Sequence, residues 1–280
     1  MGLNYSVNTN NNALVALQTL NATSRDLQVA ESRINTGKKI ATAKDNGAIW
    51  AIAKNQSSKA NALDAVTDSL DRGKSTVDVA LAAAATITDT LDQMRQKALA
   101  ASETSLDTVS RKNLNTEYAV LRDTINQVVS TAEFNGYNLI KSGATDFKGL
   151  STDDVTLSMT ISAFSLAINS SGTGTISIKT TSSIGTATLA ATQLGLLKTS
   201  IGAVNTAIAK MGAQARRIDN QNVFISKLKD SLETGVGNLV DADLAKESSR
   251  LTALQTKQQL GTQALSIANQ SPSVLQNLFR

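Results

Sequence analysis

The sequence predicts a mainly α protein. It reads as a long antiparallel helical rod, or coiled coil, of paired N- and C-terminal helices that carries a small β-rich central insert. Three observations predict this. Helical periodicity fills both ends of the chain, strand-like alternation is confined to the middle, and Pro272 is the only proline in 280 residues. Hydrophobic residues make up 41% but aromatics only 3%, and much of the apolar content is alanine. At roughly 25 cal/mol per Å², alanine gains little on burial, which favours narrow helix–helix seams over a thick core.

The first helix is expected from Asn11 to about Asn35. Ala13, Leu17, Leu20, Ser24, Leu27, Glu31 and Ile34 recur at spacings of four and three, a heptad seam that Ser24 and Glu31 contaminate. Gly37 supplies a stop. The basic stretch from Arg33 to Trp50, with Lys38, Lys39 and Lys44 ahead of Asp45, forms a break over 36–46. Helix then resumes from about Asn46 to Ala101, about 80 Å of chain at 1.5 Å per residue. Another helix fits Leu106–Ala132, with Leu106, Val109, Leu114, Leu121, Ile125 and Val128 on one face.

The insert is expected over about 136–192. Asn135–Gly136 reads as a turn. Val155, Leu157, Met159 and Ile161 alternate with polar residues, and the phase flips to Phe164, Leu166 and Ile168, implying a bulge or break. Thr175–Lys179 reads as another strand. Nineteen of the 42 residues from Ser151 to Thr192 are Ser or Thr, so the insert presents a hydroxyl-covered surface.

Helix returns from about Leu194 to Leu232, and Gly235–Asn238 reads as a second connector over 235–238. A last helix is expected from Asp241 to Gln270. Leu244, Leu251, Gln258 and Leu265 share one heptad position; Val240, Glu247, Leu254, Gly261, Ala268 and Leu275 share the other. Leu260, Ile267 and Leu278 lie off that seam. Apolar residues over so wide an arc need more than one partner helix, so the ends (1–35 with 239–280) are expected to form a terminal coiled-coil domain completed by other copies. Residues 47–234 form a helical rod domain bearing the insert.

Composition also narrows the function classes. With no cysteine and no histidine, disulfides, thiolate zinc sites and imidazole catalysis are excluded. No catalytic, cofactor-binding or metal-binding residue is assigned. The formal charge of +4 is mild for this length and does not suggest nucleic acid, and no apolar run reaches the ~20 residues of a membrane span. The N-terminus lacks the pattern of a secretory signal; "MGLNYS" fits a myristoylation pattern only formally. "RGKST" (Arg72–Thr76) lacks the first glycine of a phosphate loop and reads as a solvated helix turn. Gly172–Gly174 and Gly235–Gly237 lack the final glycine of a dinucleotide loop. The acids of "DADLAKE" (Asp241–Glu247) suit a helix N-terminus. Asn-x-Ser/Thr patterns at Asn21, Asn55, Asn169 and Asn269 are uninformative. The insert supplies candidate O-glycosylation positions instead: Ser170, Ser171, Thr173, Thr180, Thr181, Ser182 and Ser183.

Several stretches together closely resemble bacterial flagellin, the filament subunit. They are "NTNNNALVAL" (Asn8–Leu17), "RINTGKKIATAKDNGA" (Arg33–Ala48), "EFNGYNLI" (Glu133–Ile140), "VDADLAKESSRLTALQTKQQLGTQALSIANQ" (Val240–Gln270) and the terminal "VLQNLFR". The resemblance implies a non-enzymatic subunit that polymerises into an extracellular filament for swimming. It also implies assembly coupled to ordering of the terminal helices. The implied partners are copies of itself, sister flagellins, the filament cap, hook–filament junction proteins, an export chaperone and the flagellar export apparatus. The residues expected to carry self-assembly are Leu17, Leu20, Leu27, Ile34, Leu244, Leu251, Leu254, Leu265 and Leu275. A hook–filament junction protein is the alternative in the same class, and a flagellin-like adhesin or peptidase the alternative outside it.

Leu91–Ala100 corresponds to the segment an innate receptor recognises in many flagellins. The positions usually held by an arginine before Met94 and a glutamate after Arg95 are Gln93 and Gln96 here. Loss of the guanidinium removes a charge-assisted contact worth up to a few kcal/mol. Purified monomer is therefore expected to signal weakly through that receptor in a reporter-cell titration; full response at low concentration would contradict this.

Overall fold

A computed structural model describes the backbone of residues 9–154 and 156–278, and side chains as far as residue 270. In chain order the elements are α1 (Asn11–Thr36), α2 (Gly47–Ala101), α3 (Thr108–Thr131), β1 (Phe147–Leu150), β2 (Ser158–Ile161), α4 (Ala187–Val240) and α5 (Leu244–Leu278). Among the described residues no helix is long and apolar enough to cross a membrane. The chain divides into two compact units. A terminal unit takes the residues up to Ser58 and from Asp230 onward, and a middle unit takes Lys59–Lys229.

In the terminal unit α1 and α5 run antiparallel. Asn10 donates from Nδ2 to the Ala268 carbonyl at 2.7 Å, Leu20 packs over Gly261, and Arg33 meets Glu247 at 2.9 Å. Asn10 also caps α1 by accepting from the Ala13 N–H. Gly37 ends α1 in the left-handed region, at φ +67°, where a residue with a Cβ would be strained. The connector that follows is clasped to the end of α4. Lys39 N–H and Ile40 N–H donate to the Val240 carbonyl, and Ala242 N–H donates to the Gly37 carbonyl. Ile40, Ala53 and Val240 form a small core there, with Ile49, Trp50, Val236 and Leu239 against it. The Asp45 carboxylate accepts from the backbone N–H groups of Thr42 and Ala41. The Thr42 N–H in particular holds its pKa below the usual carboxylate value.

The connector expected at Gly235–Asn238 is absent. α4 continues through both glycines to Val240. A helical glycine costs only about 1 kcal/mol against alanine, and here the packing of Val236, Leu239 and Val240 outweighs it. The break falls instead at Asp241–Asp243, where Asp243 caps α5 by accepting from Ala245 and Lys246 N–H.

In the middle unit α2 presents one seam of alternating three- and four-residue steps. Leu63, Val66, Leu70, Gly73, Val77, Ala80, Ala84, Ile87, Leu91, Met94, Ala98 and Ala101 are all buried. α4 answers with Ala190, Leu197, Val204, Ala207, Met211, Ile218 and Ile225. The two helices are antiparallel. Asp64 pairs with Lys229 at 2.5 Å, Asp71 accepts from Asn222 at 2.8 Å, and Lys74 pairs with Asp219. α3 buries Tyr118, Ile125 and Val129. Val109, expected on that face, is exposed, because α3 begins only at Thr108, with Asp107 as its cap. Through the helices many Ser and Thr hydroxyls donate to the carbonyl four residues back, among them Thr19, Thr23, Thr67, Thr76, Ser200 and Thr252.

The insert holds less sheet than expected. Asn135 and Gly136, at φ +49° and +84°, form the two-residue turn that Phe134 and Tyr137 close with reciprocal backbone bonds. β1 and β2 pair antiparallel, Phe147 opposite Ile161 and Leu150 opposite Ser158. Val155 lies outside the described residues and Leu157 is exposed, so the alternating face begins at Met159. The phase flip is real, since Met159 and Ile161 are buried before it and Leu166 and Ile168 after it. Beyond the flip the chain is extended but bonds to Leu139 and Ile140 carbonyls through Phe164 and Leu166 N–H. Thr175–Lys179 is not a strand. It buries Ile176 and Ile178, and among the described residues its one bridge joins Lys179 to Asn169.

Gly73 is not the solvated helix turn expected. It is the seat of the β1–β2 hairpin, where a Cβ would stand 2.9 Å from Ile161 Cδ1 and 3.0 Å from Phe147 Cε1. Ser69 Oγ accepts from Leu150 N–H at 3.0 Å, and Gln221 donates to the Ser151 carbonyl at 3.1 Å. Gly73→Val should destabilise the middle unit by about 1–3 kcal/mol through overpacking. Gly195→Ala, with open space around it, should raise stability by up to about 1 kcal/mol. Thermal unfolding followed by circular dichroism distinguishes the two.

Candidate assembly surfaces

The α1–α5 pair exposes the residues on which assembly would depend. Its seam on α1 is Ala13, Ala16, Leu20, Thr23, Leu27, Ala30 and Ile34, in steps of three and four. One expected row, Ala13, Leu20, Leu27 and Ile34, is therefore present. The other is carried by Ala16, Thr23 and Ala30 in place of Leu17 and Glu31, with Ser24 half-buried beside Thr23. The small residues face inward because they permit close approach, while a seam through Glu31 would have buried an unpaired charge. On α5 the seam is Glu247, Leu251, Leu254, Gln258, Gly261, Leu265 and Ala268, the two heptad rows expected.

The predicted assembly residues consequently separate. Leu20, Leu27, Ile34, Leu251, Leu254 and Leu265 belong to the intrachain seam, most of them half-buried. Leu17 and Leu244 point outward, 44% and 51% exposed. The side chain of Leu275 lies outside those described. Further apolar residues stand in solvent: Leu14, Val15 and Val29 on α1, and Leu260 and Ile267, seven apart, on α5. Periodicity alone marked Leu260 and Ile267 as off the seam; it gave no signal for Leu14 or Val15.

Within this pair the Arg33–Glu247 contact is partly buried. Glu247, 8% exposed, takes a seam position and meets Arg33 through Oε1 at 2.9 Å. Arg250 lies 3.9 Å from its Oε2, too far for a hydrogen bond, and that oxygen has no hydrogen-bond partner. The remaining acids of "DADLAKE" have local roles. Asp243 caps α5, and Asp241 is the backbone bridge partner of Lys38.

A model of the bacterial flagellin N-terminal helical region matches residues 7–146, and one of the C-terminal helical region matches residues 194–279. The chain belongs to the bacterial flagellin family. Flagellin FljM of Caulobacter vibrioides is 51% identical over the full length of both chains. A flagellin of Brucella melitensis is 36% identical over 98% of this chain and 99% of its own. A solved chain described as a flagellar hook-associated protein of Vibrio parahaemolyticus covers 70% of this flagellin and 100% of itself, with TM-score 0.57. At 15% identity that likeness concerns the fold alone. The protein is thus a structural subunit of the extracellular flagellar filament and polymerises with itself; the junction-protein alternative is not favoured.

In this flagellin the receptor-like segment lies on α2. Gln93, Arg95 and Gln96 are exposed, and Arg95 pairs with Asp92 at 3.3 Å. Met94 is fully buried in the seam, so it supports the segment from beneath and offers no surface to a receptor binding the folded subunit. Of the candidate glycan positions, Ser170, Ser171, Thr173 and Thr181 are exposed and Thr180 is half-buried. Ser182 is buried, its Oγ accepting from Lys179 N–H. Ser183 donates to Asn115. Ser182 is therefore removed as an acceptor in the folded chain, because its hydroxyl is both covered and engaged.

Arg33→Ala or Glu247→Ala alone should destabilise the α1–α5 pair, and the double variant should cost less than the two together, with a coupling of about 0.5–3 kcal/mol. Amide exchange along α1 and α5 reports it; strictly additive losses would show that the ion pair contributes nothing specific.

Proposed function

We propose that this flagellin enters the filament through the apolar surface its terminal helices leave uncovered, formed by Leu14, Val15, Leu17, Leu260 and Ile267, with Leu244 near the start of α5. The observation that carries this reading is the pair Leu260 and Ile267, 59% and 70% exposed on one face of a helix whose opposite face already has its partner. A fully buried leucine or isoleucine contributes roughly 1.5–3 kcal/mol, so neighbouring copies that cover these residues stabilise each subunit by several kcal/mol. The pair gains order as it is covered, which couples assembly to the folding of α1 and α5.

The seam residues Leu20, Leu27, Ile34, Leu251, Leu254 and Leu265 act one step earlier, by joining α1 to α5 within the chain. Leu275 shares the heptad row of Leu254 in the sequence. Sister flagellins, the filament cap and the hook–filament junction proteins are the partners proposed outside the homopolymer, with a chaperone and the flagellar export apparatus acting before assembly. Ser170, Ser171, Thr173 and Thr181 are the positions proposed for O-linked sugar, and Gln93 and Gln96 those proposed to weaken an innate receptor's grip.

Removing about the last 30 residues, which takes both Leu260 and Ile267, should leave a helical chain that forms no filaments. Leu260→Ser with Ile267→Ser should reduce filament yield while preserving far-ultraviolet helicity. Negative-stain microscopy after seeding measures both, and long uniform filaments from the truncated chain would refute the reading.

A further inference from the structure

We propose that a basic surface beside the α1–α2 connector faces an acidic surface at the end of α4 from a second copy of this flagellin. The inference rests on the filament reading and names one contact within it. The basic concavity, ≈ 360 Å³, is lined by Arg25, Arg33, Lys38 and Lys39, with Asp45 its one acid and the exposed Val29 beside them. The acidic one, ≈ 490 Å³, is lined by Glu233, Asp241 and Asp243, with Asn238 and no basic side chain. The two surfaces are therefore opposite in sign.

Both lie in the terminal unit. The backbone clasp between Gly37–Ile40 and Val240–Ala242 holds the Lys38–Lys39 edge of one beside the Asp241 edge of the other. Arg25, Lys38, Lys39 and Asp241 are exposed, and no ion pair among the described residues engages them. Arg33 is already committed to Glu247, and Asp243 to the α5 cap, which leaves the former four as the charges free to reach a neighbour. In a filament this contact runs head to tail, the basic surface of each copy facing the acidic surface of the next. Such a contact does not close on itself as a two-fold pair does, and it propagates into a ring or a helix. A filament subunit requires a contact of that kind. Exposed ion pairs are individually weak and salt-sensitive, so this contact sets register between copies while the apolar surface supplies adhesion.

Lys38 and Asp241 are also bridge partners in one chain, so pairing within the chain is the competing explanation of any charge effect. The test separates the two. Arg25→Glu with Lys39→Glu gives a chain with two acidic surfaces; Asn238→Lys with Asp241→Lys gives one with two basic surfaces. None of the four residues caps a helix. With helicity checked by circular dichroism, each variant alone should leave roughly tenfold more unpolymerised subunit than the native chain in a seeded assay, since like charges then face each other. Mixed in equal amounts they should copolymerise to nearly native yield, because every contact in an alternating array is again complementary. The neutral versions, Arg25→Gln with Lys39→Gln, should show a smaller deficit. Native yield from either reversed variant alone overturns the proposal. So does a mixture that fails to polymerise, whether or not the fourfold variant in a single chain recovers. The native chain in the same assay reports on the filament reading separately: if it polymerises while the charge pattern has no effect, only the contact is lost.

Discussion

Two helices whose shared seam is lined by alanine, threonine and glycine come close together but exclude little water. That constraint governs the terminal unit. On α1 the inward row of Ala16, Thr23 and Ala30 contributes almost no apolar volume, and of the whole α1–α5 seam only Ala30, Glu247 and Leu254 are buried. The partner rows of leucine remain half-wet. The middle unit shows the contrast, with α2 buried along its whole seam from Leu63 to Ala101. One part of the chain carries a continuous core, and the other leaves several large apolar residues exposed. The same sparseness explains the weight on the few specific contacts present. Leucine rows alone tolerate sliding, whereas the Arg33–Glu247 contact is made at one register only, and the clasp beyond Gly37 repeats that restriction in the backbone.

Much of this was legible from the chain. Uninterrupted helical texture with one proline gave the long helices, and the Asn135–Gly136 turn followed from its residue types. Both heptad rows of α5 were readable because leucine marks them. The second row of α1 was not, since Ala16, Thr23 and Ala30 carry no more hydrophobic signal than their neighbours; apparent periodicity then settled on Leu17, the larger residue, which faces outward. Met94 entered the receptor-like segment through the family resemblance, which says nothing of the α2 seam that buries it. The seam of α2 is unmistakable only once Gly73 is counted as a core position, and no local property of "RGKST" announces that Phe147 and Ile161 will lie on it.

Other differences came from contacts distant in sequence. Gly235 and Gly237 look like a break when read locally, but α4 is carried through them by Ile40 and Ala53, nearly two hundred residues earlier. Phe147–Leu150 has no alternation to identify it and becomes a strand through Ser158–Ile161 and the Ser69 hydroxyl. Thr175–Lys179 has strand composition yet finds no edge to extend, and its isoleucines are buried without a ladder. The exposed Leu14 and Val15 belong to the same class, because only the choice of inward row decides which apolar residues remain outside.

The hydroxyls that line these helices have a further consequence. Thr19 on α1, and Thr252 and Thr256 on α5, each donate to the carbonyl one turn back, as do Thr86 and Thr206 in the middle unit. A hydroxyl proton engaged in this way is not orphaned when water is stripped from the helix face. Such a face is polar in composition but nearly neutral in its demand for partners. Pressed against another protein surface, it requires no matching acceptor at any fixed position, which lowers the desolvation cost wherever a neighbouring subunit covers it.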